Sequence, residues 1–233
     1  LRYKLLHEPK DEPLNEDAPR SIGIPLAMYT HDLLPLWRRF FRECGFKVIV
    51  SDETNRKTVH LGLDSVVAEP CFPIIVAHGH AADLVEKNVD YIWLPNILSA
   101  PTRFMDNESH VCPWGQTLPF VLRQAPAFRE WNGRIICPTV RLREGPEALR
   151  QVLIETAGTL GVDRATATRA FDLAWNSYNH YRREYQKAGR EALDILEKSG
   201  ESGMVLVGRP YNVHDGGVSL SVARKLRELY GVN

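Results

Sequence analysis

The sequence predicts an α/β fold: a Rossmann-like parallel sheet with flanking helices, then a helical segment and the start of a second, truncated α/β domain. Three observations predict it. Short apolar runs bounded by Pro or Gly alternate with longer runs of helical period, the pattern of βαβ units and a parallel sheet. The runs from residue 146 to 198 then keep helical period with no strand between them. Near the end, a strand-like run, Met204 to Val207, and a helical run, Gly217 to Leu229, restart the first pattern.

In chain order, residues 1–20 are polar and rich in Pro, Glu and Asp, and read as a linker or extended arm. Residues 21–145 read as the Rossmann-like domain, 146–199 as a helical connector and 200–233 as the first βα unit of the second domain. Ser21 to Ala27 opens with a buried strand that ends at Pro25. From His31 to Cys44, Leu34, Trp37, Phe40, Phe41 and Cys44 recur at three- and four-residue steps, and Gly45 stops the helix. Phe46 to Val50 is the next strand, Asn55 to Val66 and Phe72 to Lys87 are helices, and Val89 to Leu94 is a strand ended by Pro95. Asn96 to Val111 shows no period and reads as a long loop, a class that is usually functional or disordered. Thr117 to Gln124 is a short helix, and Arg134 to Cys137 a strand stopped by Pro138. In the last long helix Ala167, Ala170, Phe171, Ala174, Trp175, Tyr178, Tyr181 and Tyr185 share a face, an aromatic stripe expected to pack.

Composition narrows the function. The 233 residues are 44% apolar and 25% charged, with zero formal net charge, which argues against a nucleic-acid or membrane partner. No apolar run approaches the length of a membrane span. The four cysteines are widely spaced, which suits a reduced, cytoplasmic setting better than a disulfide framework. The chain begins with Leu1 and stops at Asn233 where another strand would follow, so both ends read as cut. Neither a G-x-G-x-x-G fingerprint nor a G-x-x-x-x-G-K-[ST] loop is present, so neither the usual dinucleotide route nor ATP hydrolysis by this stretch is expected.

The chemistry-bearing candidates are cysteines. Cys71 stands between two prolines just before a helical run, and Cys112 is followed directly by Pro113 and a short helix. Proline fits a first helical turn, so Cys71 should sit just before or at a helix N-terminus, where backbone N–H groups favour an anionic sulfur, and Cys112 shares the context of a following proline and then a short helix. Both lie where ligands collect beyond the carboxyl ends of parallel strands. Two such thiolates could serve one metal centre, although a cluster or zinc site normally takes more ligands. The plain alternative for each is a small buried core residue. Cys44, on an apolar helix face, reads as core, and Cys137 as a buried strand end. His78 and His80 flank Gly79 and point different ways, so they cannot share one ion. An internal echo also stands out. Gly23-Ile24-Pro25 with Tyr29 and His31-Asp32 is matched by Gly208-Arg209-Pro210 with Tyr211 and His214-Asp215. The His-Asp pairs read as helix caps or cleft-lining groups, and Arg209 as a clamp for phosphate or carboxylate or a surface ion pair.

Taken together, Ile22-Gly23-Ile24-Pro25, Cys71-Phe72-Pro73 with Ala77-His78-Gly79-His80, Cys112-Pro113 with Gln116 and Leu118-Pro119, and Val207-Gly208-Arg209-Pro210-Tyr211-Asn212 resemble a known family. It is the uncharacterised domain of very long bacterial proteins known as CoA-substrate-specific enzyme activases. That domain is similar to 2-hydroxyacyl-CoA dehydratase subunits, benzoyl-CoA reductase subunits and double-cubane cluster proteins. The resemblance runs from about residue 21 to the end. It implies two Rossmann-like domains with a cysteine-ligated iron–sulfur cluster between them, charged by an ATPase activator in the same chain or separate, and a low-potential reduction of a CoA thioester or other small substrate. On this likeness Cys71 and Cys112 would be cluster and metal ligands, and His78, Arg209 and Asn212 would line the cleft. The remaining ligands would lie outside this stretch, which alone should hold a cluster poorly or not at all.

Three functions are therefore in play: an iron–sulfur electron-transfer or reductase module in an anaerobic system, a non-catalytic module docking the activator or a CoA thioester without metal, and a structural zinc site, the weakest because no ligands lie at zinc-knuckle spacing.

Overall fold

The computed structural model describes residues 2–7, 12–102 and 109–232. Its frame is a parallel sheet. Strand β1 (Ser21–Ile24) follows a short N-terminal helix, α1 (Arg2–His7), and leads through α2 (Thr30–Glu43) to β2 (Lys47–Val50). Helices α3 (Arg56–Ser65) and α4 (Phe72–Glu86) carry the chain to β3 (Tyr91–Trp93). Then come β4 (Asn96–Ser99), α5 (Pro113–Gln124), β5 (Ile135–Ile136) and β6 (Thr139–Arg141). The sheet order is β2-β1-β3-β5, every neighbour parallel, as the strand–helix alternation predicts.

The expected long loop after Pro95 is a strand at its start. Pro95 and Pro138 interrupt two neighbouring strands at matching points, since neither can donate to a ladder. The pairing resumes beyond them: Leu94 N–H bonds Ile136 O and Asn96 N–H bonds Pro138 O, each at 2.9 Å. Thus β4 and β6 form a small parallel sheet of their own. Four residues are too few to show a period. The part of that stretch from 103 to 108 lies outside the described residues.

Helix α6 (Pro146–Thr159) and the 36-residue α7 (Arg164–Ser199) pack with α2 on one face of the sheet, around Leu34, Trp37, Phe40, Phe41, Leu153 and Phe171. Helices α4 and α5 cover the other face with Ile74, Ala77, Leu84, Leu118 and Leu122. The α3–α4 crossing depends on glycine. A Cβ on Gly79 would stand 1.8 Å from the Thr58 carbonyl oxygen, and one on Gly62 2.1 Å from that of Ile75.

Two terminal expectations change. The N-terminal stretch, read as an arm, is docked. Pro35 inside α2 lacks the N–H that would bond the His31 carbonyl. Arg2 takes that orphan oxygen at 2.6 Å. Leu6 is buried in the core, its carbonyl accepting from Arg38, and Glu12 pairs with Arg38 at 2.9 Å and Arg42 at 3.0 Å in a buried cluster. At the other end, Met204 to Val207 forms no strand, and Met204, Val205 and Val207 are exposed. A strand needs a partner edge for its N–H and C=O groups, and none meets this run among the described residues. Short α8 (Pro210–His214) and α9 (Val222–Tyr230) follow.

Candidate functional site

Cys71 and Cys112 are the N-cap residues of α4 and α5, each with proline in the first turn and neither side chain bonded to the helix. Cys71 is exposed, Cys112 half-buried, and both are free thiols. The two helix starts border one apolar cleft. Pro70, beside Cys71, and Trp114, two residues after Cys112, both line it, with Ile74, Leu118, Val121 and His78. His78 Nδ1 lies 2.9 Å from the Ile74 carbonyl, which can only accept, so Nδ1 carries the proton and Nε2 the lone pair. Burial holds His78 below the usual imidazole range, in its neutral form.

The echoed turns meet at Cys112. Tyr29, Tyr211 and Arg209 gather beside Cys112, within electrostatic reach of one another. The Tyr29 and Tyr211 rings stand edge to face with centroids 5.7 Å apart. Burial pushes the Tyr211 phenol up to about 12, so it stays protonated. Arg209 is exposed and reaches this pair of tyrosines rather than a carboxylate. Asn212 is exposed on α8 and does not line the cleft.

His80 points elsewhere, into a buried relay. Leu26 N–H donates to Ser51 Oγ at 2.7 Å, so the Ser51 hydroxyl proton goes to His80 Nδ1, 2.8 Å away. Thr54 Oγ1 donates to Asp215 Oδ2 at 2.6 Å and must accept from His80 Nε2, at 2.8 Å. Only the Nε2–H tautomer satisfies every partner. Burial pushes His80 down to about 4. Asp215 is opposed by burial but held below the usual carboxylate range by His31, Thr54 and the Val218 N–H. His31 Nε2 stands 3.4 Å from Asp215 Oδ2, so His-Asp of the first echo faces His-Asp of the second. Sequence reasoning did not find the roles of Ser51 and Thr54; only the echo itself pointed to Asp215.

The other cysteines are set apart. Burial pushes the Cys44 thiol up to about 12, and Cys137 Sγ accepts from Arg123 at 3.2 Å. Among the described residues no group of three His, Cys, Asp or Glu side chains is placed to hold a metal ion. The donor set near the cleft therefore fits two corners of a cysteine-ligated cluster, and it does not complete a four-ligand zinc site.

A family model described as the CoA enzyme activase uncharacterised domain matches residues 21–232. No curated protein and no solved structure matches the chain. No described helix is long and apolar enough to cross a membrane.

Proposed function

The chain belongs to the CoA enzyme activase uncharacterised domain family, and from that premise we propose that it contributes Cys71 and Cys112 as two thiolate ligands of an iron–sulfur cluster. The cluster accepts electrons from an ATP-hydrolysing activator, in the same chain or separate, for low-potential reduction of a CoA thioester or similar substrate. The observation that carries this reading is that both cysteines cap helices with free sulfurs and that residues beside them, Pro70 and Trp114, line the same cleft. Such a cluster would supply one-electron chemistry. The chain's own part is to hold two sulfurs, line the space between their helices with apolar side chains that limit water, and keep His78 neutral beside it. The edge-to-face pair of Tyr29 and Tyr211 stands beside the Cys112 turn. The other ligands come from elsewhere in the assembly.

A second reading is favoured by the lack of any three-ligand group among the described residues: a module that docks the activator or a CoA thioester without metal. Anaerobic reconstitution of the full-length protein with ferrous iron and sulfide separates them. The first reading predicts broad visible absorbance and bound iron and sulfide that fall together in Cys71→Ala or Cys112→Ala. Full iron occupancy in both variants, with calorimetric binding of acyl-CoA to the untreated protein, supports the second.

A further inference from the structure

A cavity of about 380 Å³ lies on the α2–α7 face of the sheet, away from the cysteine cleft, and nothing in the proposed function uses it. Its size falls within the ordinary range of ligand pockets. One wall is the aromatic stripe of α7. Tyr181 and Tyr185, one helical turn apart, have rings parallel within 5° at 5.9 Å between centroids. Tyr178 continues the wall, with the Arg182 guanidinium 5.7 Å from its centroid. The facing wall comes from the two echoed turns, Asp32 from the first and His214 from the second, with His214 edge-on to Tyr185 at 6.0 Å.

This stripe reads from sequence as packing, and from Ala167 to Tyr181 it packs with the core. The buried Tyr181 hydroxyl has Arg2 beside it, and the Tyr178, Tyr181 and Tyr185 side chains line the cavity. Among the described residues, none donates a hydrogen bond to the half-buried Asp32 carboxylate, although it is the natural acceptor of the pocket. A half-buried carboxylate with no protein donor, set in the wall of a cavity lined by aromatic rings, is open to a ligand's donor. Asp32 supplies a negative charge and Arg182 a positive one, the Arg2 guanidinium acts on Asp32 and His214 from beside the cavity, and burial holds His214 down to about 4 and so neutral. A neutral flat ring would stack on the phenols, donate an exocyclic amino group to Asp32 and accept from Arg182 on an adjacent ring nitrogen.

We propose that this cavity binds a planar nitrogen heterocycle bearing an exocyclic amino group, of the adenine type, stacked on Tyr181 and Tyr185. The base could arrive on a free nucleotide or on coenzyme A, whose adenine ends share this chemistry. The proposal stands apart from cluster ligation, so Cys71→Ala and Cys112→Ala leave it intact.

Titration of the protein with adenosine, followed by calorimetry and by ligand-observed NMR, tests it. Binding in the millimolar range or tighter is expected. Inosine, which replaces the amino group with a carbonyl, should bind roughly tenfold more weakly, and Asp32→Asn should erase that preference. Tyr185→Ala, at a partly exposed position that spares the fold, should weaken adenosine roughly tenfold, as expected for loss of one stacking ring. Parallel titrations with ATP and coenzyme A identify the source: whichever gains most over adenosine brings the base. Three results would each overturn the proposal: no adenosine binding at about 5 mM in a folded protein, a concentration that detects even the millimolar binding expected here; phenol binding as tightly as adenosine; or adenosine affinity unchanged in both Tyr185→Ala and Arg182→Ala.

Discussion

The cleft between the cysteines and the relay around His80 are built from the same helix, α4, and differ in one respect. In the relay every polar atom from Ser51 to Asp215 has a partner, and His80 is fully buried. In the cleft the two sulfurs bond to neither helix they cap. Gly79 lies between the two regions and lets α4 sit hard on α3, which turns His78 to one side and His80 to the other. A saturated network lowers energy but has no valence left for chemistry. An unsaturated pair of thiols contributes little to folding and keeps its valence for a ligand. The comparison assigns stability to the relay and function to the cleft.

The largest expected effect comes from removing what holds the two regions together. Gly79→Ala drives a methyl into the Thr58 backbone, which cannot yield as a side-chain tip can. We expect a loss of at least about 3 kcal/mol in urea unfolding, with both histidine environments disturbed in NMR spectra.

Acid should act on the relay through His80 and, in the same direction, on the cleft through His78. His80 is neutral in the fold, down to about 4, against about 6.5 when unfolded. Between those values the unfolded state binds the extra proton, so stability falls as pH drops from about 6.5 to about 4 and levels off below. The His80 share is up to about 3 kcal/mol, at 1.36 kcal/mol per pK unit. His80→Leu should flatten that part of the denaturation-versus-pH curve while lowering stability at neutral pH.

A smaller change cuts one link. Thr54→Val keeps the shape but strands the His80 Nε2 proton and frees Asp215, at a cost of about 1 to 2 kcal/mol. Smallest of all, Cys71→Ser and Cys112→Ser should alter stability by under about 0.5 kcal/mol, because neither sulfur makes a helix bond to lose. A cysteine substitution that destabilised as strongly as Thr54→Val would erase the contrast.

Much of this was readable before the fold. Proline after Cys71 announced the start of α4, which begins at Phe72, whereas α5 begins at Pro113, four residues before the expected Thr117. Helical stripes gave α2 and α7, and the paired Gly-x-Pro turns with His-Asp stood out as an echo, although that the two turns meet, Tyr29 against Tyr211 and His31 against Asp215, was not legible in it. The relay stayed hidden because its members come from a loop, a helix and a turn more than 160 residues away, joined only by hydrogen bonds. Helix α1 stayed hidden because its anchor is a carbonyl that Pro35 leaves unbonded, a backbone vacancy with no side-chain signature. The run from Met204 to Val207 misled for the opposite reason: its composition favours a strand, but pairing, not composition, makes one.

The most direct test of the central claim, that Cys71 and Cys112 serve one centre, is a double-substitution cycle read as iron and sulfide bound per chain after anaerobic reconstitution. If they share a cluster, Cys71→Ala, Cys112→Ala and the double variant should lose about the same amount, since one missing corner already releases the iron. Losses that add, or a double variant that retains the iron of the unaltered protein, would contradict the account.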